Sequence, residues 1–381
     1  MAPAAAQFFQ RPEQAQQAGQ IVQWLSQRSA GGVFACIAEA DVARIPWLQQ
    51  QCRQGGLPLL GAVFPELIWQ GQFKREGLLL LPCDPMPVHC IVENLHDDTP
   101  PEAIVEPVSR LLTAQDSNLG KPKLFLLYDA LVPTIASQLA SLYAVLGDQV
   151  RYFGANAGSE SFQPMACLFD QQKRYGNALL AMLLEDTGEA LLEHGYAAPD
   201  EPVAATATEG NRIISIDWRP AFEVYAERVA KHYGQQLTTD NFYQMGVHFP
   251  FGMLRANGET VVRIPVSLEA DGSLFCVGEV PENAVLTLME AVEPDSAHTI
   301  EALTQQLGPM AEHEILLHFY CAGRRLHLGE KAAREVAALQ RRVSPALLVG
   351  ALSLGEIAPA RAGDYPLFHN ASLLCSRWMK P

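Results

Sequence analysis

The chain has 381 residues, which at roughly 150 residues per domain makes two domains or one large one. Its 27 Lys and Arg against 42 Asp and Glu give a formal charge of −15, which argues against nucleic acid or an anionic membrane surface as a partner. Charged residues are 18% against a usual value of about 25%, and 49% are hydrophobic, so the bulk of the chain builds a core instead of staying disordered.

No stretch approaches the roughly 18 uninterrupted apolar residues of a membrane-spanning helix, and Met1 to Gln20 lacks a basic-then-apolar leader, so a cytoplasmic location is expected. The eight cysteines, at 36, 52, 83, 90, 167, 276, 321 and 375, include no CxxC pair and suit reduced, buried thiols.

In chain order, Gly31 to Cys36 and Leu57 to Val63 read as buried strands, with a helix over Trp47 to Arg53 between them. Pro82, Pro85 and Pro87 mark a loop that also carries Cys83, His89 and Cys90. Those three side chains are a candidate regulatory metal or redox group, although structural zinc needs a fourth ligand. Lys123 to Tyr128 reads as a strand, followed by a helix entered at Pro133 with Ile135, Leu139, Leu142 and Leu146 on one face. Gly154 to Gly158 (GANAG) is neither a GxGxxG nor a P-loop sequence and reads as a turn.

Ala197 to Gly210 is rich in Pro, Ala and Thr and lacks periodicity, which places a boundary near residue 200 and divides the chain into 1–200 and 201–381. Beyond it, Arg212 to Ile216 reads as a strand and Pro220 to Gly234 brackets a helix with Phe222, Tyr225, Val229 and Tyr233 on one face. Val261 to Val266 and Ser273 to Val277 pair across the Asp271-Gly272 turn. A strand at Glu314 to Cys321, a helix at Ala332 to Arg341 and a strand at Ala346 to Leu352 complete a mixed α/β fold, with mixed sheets covered by helices.

His313, Glu314 and His318 do not make a zinc-protease helix, because the histidines are five apart on a strand. No GxSxG elbow is present. An enzyme using Cys321 or Cys83 as nucleophile is the weakest of the functional readings, and none of the motifs requires catalysis. Between the halves, PLLGAVFPEL (Pro58 to Leu67) echoes LLVGALSLGEI (Leu347 to Ile357), which points to an internal duplication.

The segments IISIDWRPAFEVYAERV (Ile213 to Val229), HFYCAGRR (His318 to Arg325), VGALSLGEIAP (Val349 to Pro359) and LFHNASL (Leu367 to Leu373) resemble, in that order, the FIST family of intracellular sensory proteins, built from consecutive N- and C-terminal FIST regions. The resemblance is looser in the first half, where Gly61 to Leu67 lacks the Gly before Glu66 and Tyr152 to Gly158 is similar to a family Gly/Ala segment. The resemblance implies a ligand-binding sensor without catalysis and a pocket built largely by residues 201–381. One bacterial branch of the family consists of haem proteins that sense nitric oxide and regulate a partner histidine kinase.

On that reading haem b is held by His248, the metal ligand, with Met245 and Phe251 against the porphyrin and Arg255 and Arg263 toward its propionates. Against this, a His in an aromatic run is more often a core histidine than a ligand. Arg324, Glu356, His369 and Asn370 are the candidate ligand-binding set. Against this, Arg324 reads as an internal ion pair, and Glu356 and Asn370 as residues that tie down turns. The second functional reading is a FIST sensor of a small metabolite such as an amino acid, without haem. Oligomeric assembly is compatible with either.

Overall fold

The computed structural model describes residues 6–27, 31–114, 120–198, 201–289, 296–361 and 363–379. Four sheets organise them: three of six strands and one of eight. The expected mixed α/β class holds, and most strands and helices fall within a few residues of their expected positions.

The three six-stranded sheets are built alike. In the first, Gly32–Ala38 and Leu59–Phe64 lie parallel, with a helix at Ile45–Gln54 as the crossover, and Leu78–Cys83 and Gln7–Phe9 extend the sheet antiparallel. In the second, Lys123–Asp129 and Arg151–Ala157 are the parallel pair, Ile135–Leu146 the crossover, and Leu179–Leu184 and Val88–Val92 the extension. The third repeats the plan with Ile315–Cys321, Leu347–Ser353, Leu373–Arg377 and Leu191–Glu193, its crossover split into Ala322–Leu328 and Lys331–Val343. Buried on both faces, these parallel strands other than Arg151–Ala157 read as continuous apolar runs, which makes them visible in sequence.

Each unit sends its hairpin to another unit's sheet. Leu67–Trp69 of the first unit pairs with Leu347–Ser353 of the third, Glu356–Pro359 of the third with Arg151–Ala157 of the second, and Leu168–Asp170 of the second with Leu59–Phe64 of the first. The exchange is a closed cycle, so strands from both sides of residue 200 share sheets. The suspected duplication is therefore a triplication. Its third copy is centred on Gly154, so Gly154 to Ala157 of GANAG end a strand and are not a turn.

One glycine per unit explains the surviving sequence signal. A Cβ on Gly61, Gly154 or Gly350 would sit 2.4, 1.9 or 1.8 Å from the carbonyl oxygen of Ala35, Leu126 or His318 on the parallel neighbour. Where the sheets meet, Phe125 stacks on Phe153 with centroids 4.7 Å apart and also touches Phe34, Phe319 and Trp378. Rings from all three units thus share one centre, and Trp378 donates its indole N–H to the carbonyl of Pro82 at 2.9 Å.

Residues 201–289 form the eight-stranded sheet, all antiparallel, with the helix Ala221–Tyr233 burying Val224, Tyr225 and Val229 against it. This sheet is inserted between the edge strand Leu191–Glu193 and the helix Ser296–Leu307. Two sequence expectations change here. Part of the presumed linker, Val203–Glu209, is a strand paired with Arg212–Ile216, its Ala/Thr alternation facing two environments. The strand expected over 261–266 is two: Thr260–Arg263 pairs with Phe251–Leu254, while Pro265–Leu268 pairs with Leu274–Cys276 across the expected Asp271-Gly272 turn. The chain changes partner at Ile264, so these two consecutive strands lie at opposite ends of the sheet order. Likewise Val88–Val92 is a strand, not part of a proline loop.

Candidate functional site

A concavity of about 930 Å³ lies between the second unit and the inserted sheet. It sits at the carboxyl ends of Lys123–Asp129 and Arg151–Ala157, the position where open parallel sheets leave a crevice between diverging crossovers. One wall comes from Ala130 to Ile135 and from Asn156 and Glu160 to Phe162; the other from Glu209 to Arg212, Val266, Ser267, Phe275, Val277 and Gly278. A smaller chamber of about 110 Å³ shares Glu160, Phe162, Val266 and Val277 with it and continues toward Cys321, Leu326 and Asn370. Both halves of the chain build the cleft, whereas the sequence pointed mainly to the second.

The turn from strand to helix at the cleft floor is fixed by Asp129, whose carboxylate accepts the N–H groups of Leu131 at 3.0 Å and Asn177 at 2.7 Å. Asn156 follows in the adjacent strand, opposite Tyr128, and is 1% exposed. Its Oδ1 has no hydrogen-bond partner within the protein. Asn211, on the facing wall at the turn between two strands of the inserted sheet, likewise carries a buried, unpartnered Oδ1. A buried amide oxygen without a partner forfeits about 1–3 kcal/mol, so two of them on residues that line one cleft are groups that a ligand or ordered water would satisfy.

The charges are asymmetric. Glu160, Glu209 and Asp97 line the cleft against Arg212 alone, and the Arg212 guanidinium is already engaged by Glu209 at 3.0 Å, Asp271 at 2.8 Å and the Ser273 hydroxyl at 2.9 Å. The walls desolvate Glu160 and push its carboxyl above the ordinary value. The helix Ile135–Leu146 points its N-terminus at the cleft, but Glu279 of the inserted sheet already occupies that end, accepting the Ser137 N–H at 3.0 Å and the Ser137 hydroxyl.

The residues singled out from sequence are scattered. Asn370 lines the smaller chamber, its Nδ2 donating to the His369 carbonyl at 3.0 Å. Arg324 is fully buried away from the cleft, paired with Glu335. Glu356 is fully buried beneath it, accepting hydroxyl hydrogen bonds from Ser353 and Ser372 at 2.5 Å each, and burial pushes its carboxyl up to about 8. His369 is buried with Nε2 3.1 Å from the Ala358 carbonyl, and burial brings its imidazole down to about 3. Cys321 lines the smaller chamber, yet burial pushes its thiol up to about 12, the reverse of what a nucleophile needs.

The haem set does not converge. His248 is half-buried with Nδ1 2.9 Å from Nδ1 of His327, and of its segment only Val247 reaches the cleft. Met245 packs partly buried and Phe251 fully buried in the core of the inserted sheet. Arg263 is 2% exposed and donates to the carbonyls of Glu279, Val262 and Phe368, and it lines a separate groove together with Arg255. His248, Met245 and Phe251 do not line that groove, so the arrangement does not bring the two arginines around a haem ligated by His248. Among the described residues there is no cluster of three or more metal-ligating side chains, and no helix is long and apolar enough to cross a membrane.

Sequence reasoning missed Asn156, Asn211, Glu160 and Phe162. Asn156 had one signal, a lone amide inside an otherwise apolar and glycine-spaced strand; the others sit in loops that only the fold brings together.

An α/β body with a concavity that opens at the carboxyl ends of parallel strands, lined by amides without partners, has the layout of a ligand-receiving domain. The FIST N domain matches residues 30–219 and the FIST C domain residues 221–359, and the chain belongs to the FIST family, whose domains are generally sensory domains of signal transduction. No curated protein matches it.

Proposed function

We propose that the protein senses a small metabolite bound in the cleft between its second unit and the inserted sheet, without haem and without turnover. One observation carries this reading: the unpartnered amide oxygens of Asn156 and Asn211 stand on opposite walls, one on each body. A ligand that satisfies both binds the closed arrangement better than an open one, and unequal binding to two states is what a signal requires. The reader of that change is a second protein; a histidine kinase, implied by the family resemblance, is one candidate.

The test is a metabolite screen by thermal unfolding of the full chain. A ligand at about 100 times its Kd stabilises by about 2.7 kcal/mol, and the effect is expected to vanish in Asn211→Leu. No stabilising compound, or hits indifferent to Asn211→Leu, would overturn the reading. Haem b titrated in parallel supplies the rival outcome: a Soret band that changes with nitric oxide and is lost in His248→Ala replaces the metabolite with haem-based sensing.

A further inference from the structure

We infer that the ligand of this cleft is an organic cation, a compound with a primary amine or guanidinium group on an apolar body, whose charged end lies between Asn156 Oδ1 and the Glu160 carboxylate. The inference rests on the sensing reading above and narrows it to one class of chemistry.

The groups that face the cleft decide the sign. The Oδ1 atoms of Asn156 and Asn211 are buried without partners, and a group that donates a hydrogen bond is what satisfies them. The carboxylate of Glu160 forms no ion pair with any described cation, and its nearest basic influences, Arg325 and Arg75, are held by Glu66 at 2.6 and 3.4 Å.

The two features that would favour an anion are both spent inside the protein. Arg212 is clamped by Glu209 and Asp271. The first turn of Ile135–Leu146, which would otherwise attract a carboxylate or phosphate, is capped by Glu279. An incoming anion would meet three carboxylates and one guanidinium that is already committed, whereas an ammonium meets the Glu160 carboxylate directly.

The rest of the lining suits an apolar body. Phe162 and Phe275 stand partly exposed at the mouth, each 36% accessible, and Phe368, Val266 and Val277 complete the surface. Aromatic faces near a cation add their own attraction. Phe162 is held in a left-handed backbone conformation with φ 51°, its N–H donating to the Ser159 carbonyl at 3.0 Å. Few bulky residues accept that conformation, so the turn presents the ring to both chambers at a conformational cost.

The experiment is isothermal titration of the full chain with phenethylamine, agmatine and spermidine, beside 3-phenylpropanoate as the acid matched in body to phenethylamine, and phenylalanine as the zwitterion. At least one amine is expected to bind saturably and the acid not at all. Glu160→Gln, an exposed and fold-neutral change, is expected to weaken the amine about tenfold or more, and Asn156→Leu to abolish binding.

Equal or tighter binding of 3-phenylpropanoate, or amine binding unchanged in Glu160→Gln, overturns the inference while leaving a ligand-sensing cleft in place. Binding by none of the five probes also overturns it; the metabolite screen then decides separately whether the sensing reading stands.

Discussion

Arg324 and Glu335 form a bidentate ion pair with no solvent exposure on either side chain, Nε to Oε2 at 2.9 Å and Nη2 to Oε1 at 2.7 Å. Tyr320 donates to the same carboxylate at 2.7 Å, and Arg324 also donates to the carbonyls of His194 and Ala371. The pair links the strand Ile315–Cys321, the two crossover helices of the third unit and the chain entering the inserted sheet. Removing one partner strands a buried charge, so Glu335→Ala is expected to lose about 3–5 kcal/mol in urea unfolding. A loss under about 1 kcal/mol would show that water or another carboxylate reaches Arg324.

Glu356 gives a pH dependence on the alkaline side. Its folded carboxyl, near 8, lies above the ordinary 4.5, so the folded state holds the proton more tightly. The associated stability is complete below pH 4.5 and is lost as pH rises through 8. At about 1.4 kcal/mol per pH unit the ceiling is about 5 kcal/mol. Glu356→Gln keeps one acceptor and one donor toward Ser353 and Ser372, and is expected to flatten the decline between pH 6 and 9 when melting temperatures are compared with wild type. Parallel curves for the two proteins would contradict the buried, protonated acid.

His318 acts in the opposite direction. Its imidazole is fully buried, donates from Nδ1 to the Leu374 carbonyl at 2.9 Å, and is brought by burial down to about 4. Because the unfolded chain takes up the proton first, stability falls as pH drops from 6.5 to about 4, by about 3 kcal/mol for this residue alone. His369 adds to the same slope. His318→Gln is expected to shift the acid unfolding midpoint to lower pH, monitored by tryptophan fluorescence; an unchanged midpoint would remove His318 from the account.

Gly154→Ala and Gly350→Ala test the close approach of the parallel strands. The added methyl would meet backbone oxygen at 1.9 and 1.8 Å, and neither strand can withdraw without breaking its register. Each substitution is expected to destabilise by more than about 4 kcal/mol and to reduce soluble expression. A variant with wild-type unfolding behaviour would show that the strands tolerate separation.

Cutting the chain near residue 200 tests the strand exchange. Neither half is expected to unfold cooperatively alone, because the second sheet then lacks the hairpin beginning at Glu356–Pro359, the third is parted from its central strands, and Trp378 loses Pro82 and Phe34. Co-expressed halves are expected to associate and recover one transition in calorimetry. In the intact chain, Trp378→Ala is expected to cost about 3–5 kcal/mol. Independent, stable folding of residues 1–200 would refute this dependence.

Sequence periodicity reveals strands such as Lys123–Asp129 and Ile315–Cys321 because burial on both faces leaves an unbroken apolar run. It conceals Arg151–Ala157, since the glycine that permits close packing and the asparagine that faces the cleft make a strand resemble a turn. Val203–Glu209 is hidden for a related reason: small residues at a half-covered sheet carry little hydrophobic contrast. Only the Gly-Ala steps at 61, 154 and 350 mark the triplication, because steric need at the backbone outlasts side-chain identity. The site was less legible than the fold. Arg324, Glu356 and His369 are polar residues of the interior, and nothing in their local sequence separates satisfying a buried partner from waiting for a ligand. Asn156 and Asn211 differ from Arg324 and Glu356 in that each keeps a buried oxygen without a partner.

The cyclic loan of hairpins also sets the timing of synthesis. The segment Leu67–Lys74 leaves the ribosome early, yet the strand it joins, Leu347–Ser353, emerges some 280 residues later, and Trp378 follows it. Until those residues emerge, the growing polypeptide therefore exposes open sheet edges, with chaperones as the natural guardians of that interval.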